Sequence, residues 1–129
     1  MVVQRSNPSA LGNPPGYSHV VKDGTTVYVA GQVARNSEGQ TVGVGDFSAQ
    51  AEQVFENVRG ALESVGSDMR SIMKLNVFLT RREDIPAYRV VRAKFVPDDA
   101  LPVSTLILCS GLADPEFRIE VEVIATAPE

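Results

Sequence analysis

The chain carries one cysteine, Cys109, and one histidine, His19. A lone cysteine excludes an internal disulfide framework. With a single histidine beside it, no structural zinc site is expected within one chain. No apolar run approaches the roughly 20 residues a membrane-crossing helix needs, and no hydrophobic signal segment follows Met1. Positive charge is not in excess either. Twelve Lys and Arg against 16 Asp and Glu leave a net charge of −4, which argues against a protein that tracks phosphate backbones. Arg81 and Arg82, with Arg89 and Arg92, are the candidates for a local basic patch. Internal repeats and low-complexity segments are absent. The expectation is a cytoplasmic protein with no membrane, nucleic-acid or metal partner.

What is present fits one ordinary folding unit over residues 1–129. The apolar share of 43% and the charged share of 22% are near globular averages. Two stretches near the C-terminus organise the rest. Leu101 to Cys109 is rich in β-branched and aliphatic residues and opens beside Pro102, which suits the start of a strand. Phe117 to Ala125 alternates strictly, with Ile119, Val121 and Val123 on one face and Glu120 and Glu122 on the other. The Gly, Asp and Pro between them read as a turn, so the two runs look like strands joined in succession. Two carboxylates on one strand face have two readings, solvent or a pocket.

Earlier in the chain, residues 1–16 read as an irregular lead-in. Tyr17 to Val21 reads as a short strand, with His19 on its surface. Asp23-Gly24 signals a hairpin into Thr25 to Val29, closed by Ala30-Gly31-Gln32. Gly31 is either a bulge or a place where backbone meets a ligand. The spacing of apolar residues from Phe47 to Val65 predicts a helix, with Asp46 as N-cap and Gly66 just past its end. Ile72 to Thr80 reads as a strand whose one face carries Met73, Leu75, Val77 and Leu79. A second helix opens at Ile85 or Pro86 and runs to about Phe95, stopped by Pro97. The order ββαβαββ predicts an α+β fold, one mixed sheet with both helices on one face. The other face would then be an exposed apolar patch, which predicts a closed homo-oligomer that covers it.

These pieces in this order resemble the RidA family, also called YjgF, reactive-intermediate deaminase or endoribonuclease L-PSP. The marks are Gly16-Tyr17, Val29-Ala30-Gly31-Gln32-Val33, Gln50 to Val58, Lys74 to Leu79, Leu101-Pro102-Val103 and Ile119-Glu120-Val121-Glu122. The resemblance covers nearly the whole chain. It implies a chorismate-mutase-like fold and a homotrimer whose sheets form a central barrel. Small-molecule clefts would lie between its subunits. It also implies, for the best-known branch, hydrolysis of 2-imino acids to 2-keto acids and ammonia without metal or cofactor. Carried over residue by residue, Glu120 handles the attacking water, Gly31 offers backbone N–H to developing charge, and Tyr17 lines the mouth.

The chain also departs from that pattern. The deaminating branch has arginine two residues after the strand's proline, where this chain has Ser104. A hydroxyl cannot replace a bidentate guanidinium–carboxylate pair, whose loss when desolvated costs about 2–5 kcal/mol. Ala30 stands where that branch has a small polar residue, and Leu106 where it has a pocket cysteine. The expected cleft, lined by Ser104, Thr105 and Glu120, is therefore less cationic than the family's, and takes a neutral, amine-bearing or weakly anionic ligand. Arg89 or Arg92, on the second helix, would have to reach the cleft to restore a guanidinium, although helix arginines more often form a solvated face. Cys109 reads as a core or interface thiol. Glu122 is either an oligomer contact or a second pocket carboxylate that raises the pKa of Glu120. Three functions compete: a hydrolase or deaminase of C–N substrates, a metabolite-binding module without turnover, and, ranked lowest, a ribonuclease.

Overall fold

The computed structural model describes residues 3–129. Its helices are α1, Phe47–Glu63, and α2, Ile85–Phe95. Its strands are β1, Val3–Ser6; β2, Val20–Asp23; β3, Thr26–Gln32; β4, Ile72–Leu79; β5, Val103–Leu108; and β6, Ile119–Thr126. They form one six-stranded sheet in the order β1-β2-β3-β6-β4-β5. Among the described residues only the β4–β5 ladder is parallel. The ββαβαββ order is therefore present, with β1 added in front. Residues 3–6 carry no strand signal because they barely alternate. They extend the sheet by pairing Val3 with Asp23 and Ser6 with Val20.

α1 forms where the apolar spacing places it. Asp46 Oδ1 accepts the Ala49 N–H at 3.1 Å, which caps the first turn. Beyond the helix, Gly66 turns the chain at φ +80, a conformation that costs a side-chain-bearing residue more. The face it buries includes Ala51, Val54, Phe55, Val58 and Leu62. Those side chains meet Val27 and Val29 of β3, Val121 and Val123 of β6, and Leu75 and Val77 of β4 in one core. Each large side chain so buried contributes about 1.5–3 kcal/mol. Tyr88 and Val91 bring α2 into the same core, so both helices lie on one face of the sheet. Among the described residues no helix is long and apolar enough to cross a membrane.

Two sequence readings change here. The strands near the C-terminus are not neighbours: β6 lies between β3 and β4, and β5 lies outside β4 as an edge. The connection from β5 to β6 therefore crosses over β4 rather than making a hairpin. Met73 also leaves the face assigned to it. An irregularity between Ile72 and Lys74 shifts the β4–β6 register, so Ile72 turns inward and Met73 is left exposed.

The start of β6 is fixed by buried polar groups. Gln50, fully buried on α1, accepts the Arg118 N–H at 2.9 Å. Its amide donates to the carbonyls of Gly43 and Glu116. The Arg118 guanidinium holds the buried Asp84 carboxylate through two hydrogen bonds. These contacts lie two residues before Glu120 and set which way that side chain points.

Candidate functional site

On the sheet face away from the helices, β3 carries a bulge. Val29 pairs with Val123 and Gln32 with Val121, so Ala30 and Gly31 together oppose the single residue Glu122. Such a bulge locally disrupts the ladder and re-aims neighbouring side chains. Here it makes room for Glu120. A methyl group on Gly31 would lie 2.0 Å from Glu120 Oε2, so the carboxylate lies directly over the glycine. Alanine there would push it aside.

Tyr17 reaches the same place from the turn before β2. Its ring meets His19 edge-on, with centroids 5.7 Å apart. His19 is buried, not on the surface as the sequence implies. The Gln32 amide donates to His19 Nδ1 at 3.2 Å and also contacts the Ala30 carbonyl. That contact leaves the imidazole proton on Nε2. Burial lowers the His19 pKa, outweighing the opposing effect of the Gly12 and Leu11 backbone, so the ring stays neutral. A lone histidine gives no hint of a partner 13 residues away, and the partner is what brings it inside.

Tyr17, Ala30, Gly31 and Glu120 thus line one hollow of about 440 Å³. Arg35 lines it too, and sequence reasoning missed it. Its guanidinium stacks 4.9 Å from the centroid of the buried Phe117 ring and stands 3.8 Å from the Asp114 carboxylate. A second hollow of about 310 Å³ adjoins the first, and Tyr17, Gly31 and Arg35 belong to both.

Burial raises the pKa of Glu120, and the charge of Glu122 raises it further. The two carboxylates share the open face at i and i+2, as the alternation implies. A carboxyl group whose pKa is raised can hold a proton closer to neutrality and exchange it with a reacting group.

The β5 residues lie elsewhere. Thr105 pairs with Asn76, and Asn76 with Glu122, so Thr105 shares the open face but stands two strands from β6, roughly 10 Å away. Ser104 pairs with Leu75, a core residue, and therefore faces the helix layer. Within one chain Ser104 and Glu120 are on opposite sides of the sheet and do not line one pocket. Arg89 is exposed on α2, whereas Arg92 on the same helix is half-buried. Cys109 is half-buried, its thiol 3.6 Å from the Leu79 carbonyl oxygen.

Residues 6–127 match the family described as Endoribonuclease L-PSP. A curated relative from Dermatophagoides farinae, named 2-iminobutanoate/2-iminopropanoate deaminase, is 31% identical over 110 residues, which cover 84% of this chain and 83% of the relative. The solved structure of RidA from the Antarctic bacterium Psychrobacter sp. PAMC 21119 superposes with a TM-score of 0.89 at 29% identity, covering 95% of this chain and 98% of that one. The yeast Mmf1 structure gives a TM-score of 0.90 at 29% identity over 98% and 99% of the two chains. The fold, the residues gathered around Gly31 and Glu120, and these matches agree: the chain belongs to the RidA/YjgF, or endoribonuclease L-PSP, family.

Proposed function

We propose that this chain is a hydrolase of C=N bonds, a deaminase of the imine type, working as a homotrimer with its active clefts between copies. The observation that carries this is the Glu120 carboxylate held over Gly31 in an open hollow, half-buried, with its pKa raised. The chemistry needs little else. Water attacks the imine carbon while Glu120 takes one of its protons, giving a carbinolamine. With the imine protonated at the start, Glu120 returns that proton to nitrogen, then takes the hydroxyl proton as the C=O bond forms and the C–N bond breaks, and the departing ammonia carries that proton off as ammonium. Tyr17 closes the mouth of the hollow. The Ala30 N–H is held by the His19 carbonyl oxygen at 2.9 Å, so developing charge at the bulge falls to the Gly31 N–H.

The assembly follows from what one copy leaves uncovered. β5 is an unpaired edge, and Leu101, Val103 and Ile107 on or beside it are 60%, 67% and 44% exposed. An apolar edge of that kind invites another chain. A ring of copies would cover it and bring the β5 side of one copy, with Ser104 and Thr105, against the Glu120 hollow of the next. The match to a relative named as a 2-iminobutanoate/2-iminopropanoate deaminase supports the reaction class.

The direct test uses imines formed in situ by an oxidase from amines or amino acids. The protein should release the carbonyl compound and ammonia faster than the spontaneous hydrolysis. Binding of such compounds with no acceleration of any imine would reject the hydrolase in favour of a binding module.

A pH profile tests the role of Glu120. Its raised pKa places the acid limb of kcat/KM above the ordinary carboxylate range. Glu122→Gln removes the smaller of the two causes, so the limb should move to lower pH but stop short of the ordinary value, because burial remains. An unmoved limb in Glu122→Gln would mean that another group sets it.

A further inference from the structure

On the helix side of the sheet, behind β5, three hydrogen-bond donors meet with no carboxylate among them. Ser104, exposed on the edge strand, lies on the helix side of the sheet, and the Tyr88 phenol of α2 stands beside it. Arg92 follows four residues later on the same helix face and lies close enough to act electrostatically on that phenol. Tyr88 is 3% exposed, yet its hydroxyl has no well-formed hydrogen bond. Arg92 Nε is also buried without a partner among the described residues. Burial pushes the Tyr88 pKa up to about 12, so the phenol stays a neutral donor at any working pH.

The arginines elsewhere set a contrast. Arg35, Arg59, Arg70 and Arg118 each hold a carboxylate. Arg5, Arg81, Arg82 and Arg89 are exposed to water and need none. Arg92 has neither full hydration nor an anionic partner. Buried polar groups are nearly always satisfied, and a partly buried guanidinium beside two hydroxyls is built to receive an anion.

We propose that Arg92, with Tyr88 and Ser104, seats the carboxylate of the substrate, lent by α2 of one copy to the Glu120 cleft of the next. The guanidinium has then moved from the strand to the helix behind it, and a small residue at 104 leaves the path open. This rests on the hydrolase reading above and commits the substrate class to carboxylate-bearing imines. It reverses the neutral or weakly anionic ligand inferred from Ser104 alone. The rival is Arg35, which lines the Glu120 hollow itself but is already engaged with Asp114 and Phe117.

The experiment compares wild type, Arg92→Gln and Arg35→Gln on two imines of equal chain length, one with a carboxylate and one without. Arg92→Gln should lose at least about thirtyfold in kcat/KM on the carboxylate substrate, mostly through KM, and little on the other. In parallel, 2-oxobutanoate serves as an unreactive probe in thermal unfolding. It should raise Tm of wild type and of Arg35→Gln, and not of Arg92→Gln. Equal losses on both imines, the carboxylate-specific loss falling on Arg35→Gln, or stabilisation by 2-oxobutanoate that survives in Arg92→Gln would each overturn the proposal, as would no stabilisation of wild type. If no imine is turned over, the hydrolase reading fails by itself and the thermal measurement still decides the carboxylate seat.

Discussion

Glu120→Gln should lower kcat/KM for imine hydrolysis by about a hundredfold to ten-thousandfold and at the same time raise Tm at neutral pH. The first effect follows from chemistry. Gln keeps the size and hydrogen-bonding edge of Glu but can neither take a proton from water nor return one to nitrogen. The second follows from linkage. Burial and Glu122 raise the folded-state pKa of Glu120 above its unfolded value. Between those two values the folded chain holds more protons than the unfolded one, so stability falls as pH rises through that window. Above the window the whole cost of the buried charge is present. Gln at this position never ionises and avoids it. The stabilising difference between variant and wild type should therefore be full near neutrality and vanish at pH below the ordinary carboxylate range. Such opposed changes in activity and stability are the usual mark of a functional group held in an unfavourable place. Thermal unfolding of both proteins across pH, beside the turnover assay, measures both effects. A lower Tm for Glu120→Gln at neutral pH would mean that a cation from a neighbouring copy already neutralises the carboxylate. Unchanged turnover would remove Glu120 from the reaction.

Local patterns carried much of this site. The alternation of Ile119, Glu120, Val121 and Glu122 placed both carboxylates on one face, and the structure keeps them there. The periodicity of α1 and its Asp46 cap marked the layer that covers the opposite face. Gly31 stood out because a glycine ending a strand needs a reason, and the reason is the carboxylate above it. What the sequence hid is long-range. Strand alternation separates two faces of one strand, but it does not say which face of one strand matches which face of another. That needs register, and register needs the neighbour. Ser104 and Glu120 read as two walls of one cleft between copies, and only the ladders with Leu75 and Phe78 show that a single copy carries them on opposite sides of its sheet. The insertion of β6 between β3 and β4 is similarly invisible, since nothing in either strand names its partner. Nothing in the pattern of residues around Arg35 marks it; the ring of Phe117, 82 residues later, brings it to the hollow.

The separation of those two walls leads to the second large effect. The sheet stands between Ser104, Tyr88 and Arg92 on one side and Glu120 on the other, so no single copy can bring them to one substrate. If a cleft takes its carboxylate seat from one copy and its Glu120 from the next, two variants that are each inactive should rescue one another. Glu120→Gln lacks the proton-transfer group but keeps the seat. Arg92→Gln lacks the seat but keeps the proton-transfer group. In an equal mixture with free exchange of copies, a cleft is intact when its Glu120 comes from an Arg92→Gln copy and its seat from a Glu120→Gln copy. Each condition is met half the time, so about a quarter of the clefts should regain wild-type kcat/KM on a carboxylate-bearing imine. The fraction holds for any closed ring with this head-to-tail arrangement, because each cleft draws on two neighbours. Mixing the purified variants in equal amounts, letting copies exchange and assaying the whole mixture well below KM measures it. Activity no higher than the mean of the two pure variants would mean that each cleft is complete within one copy, and the shared cleft, with the trimer proposed to create it, would fall.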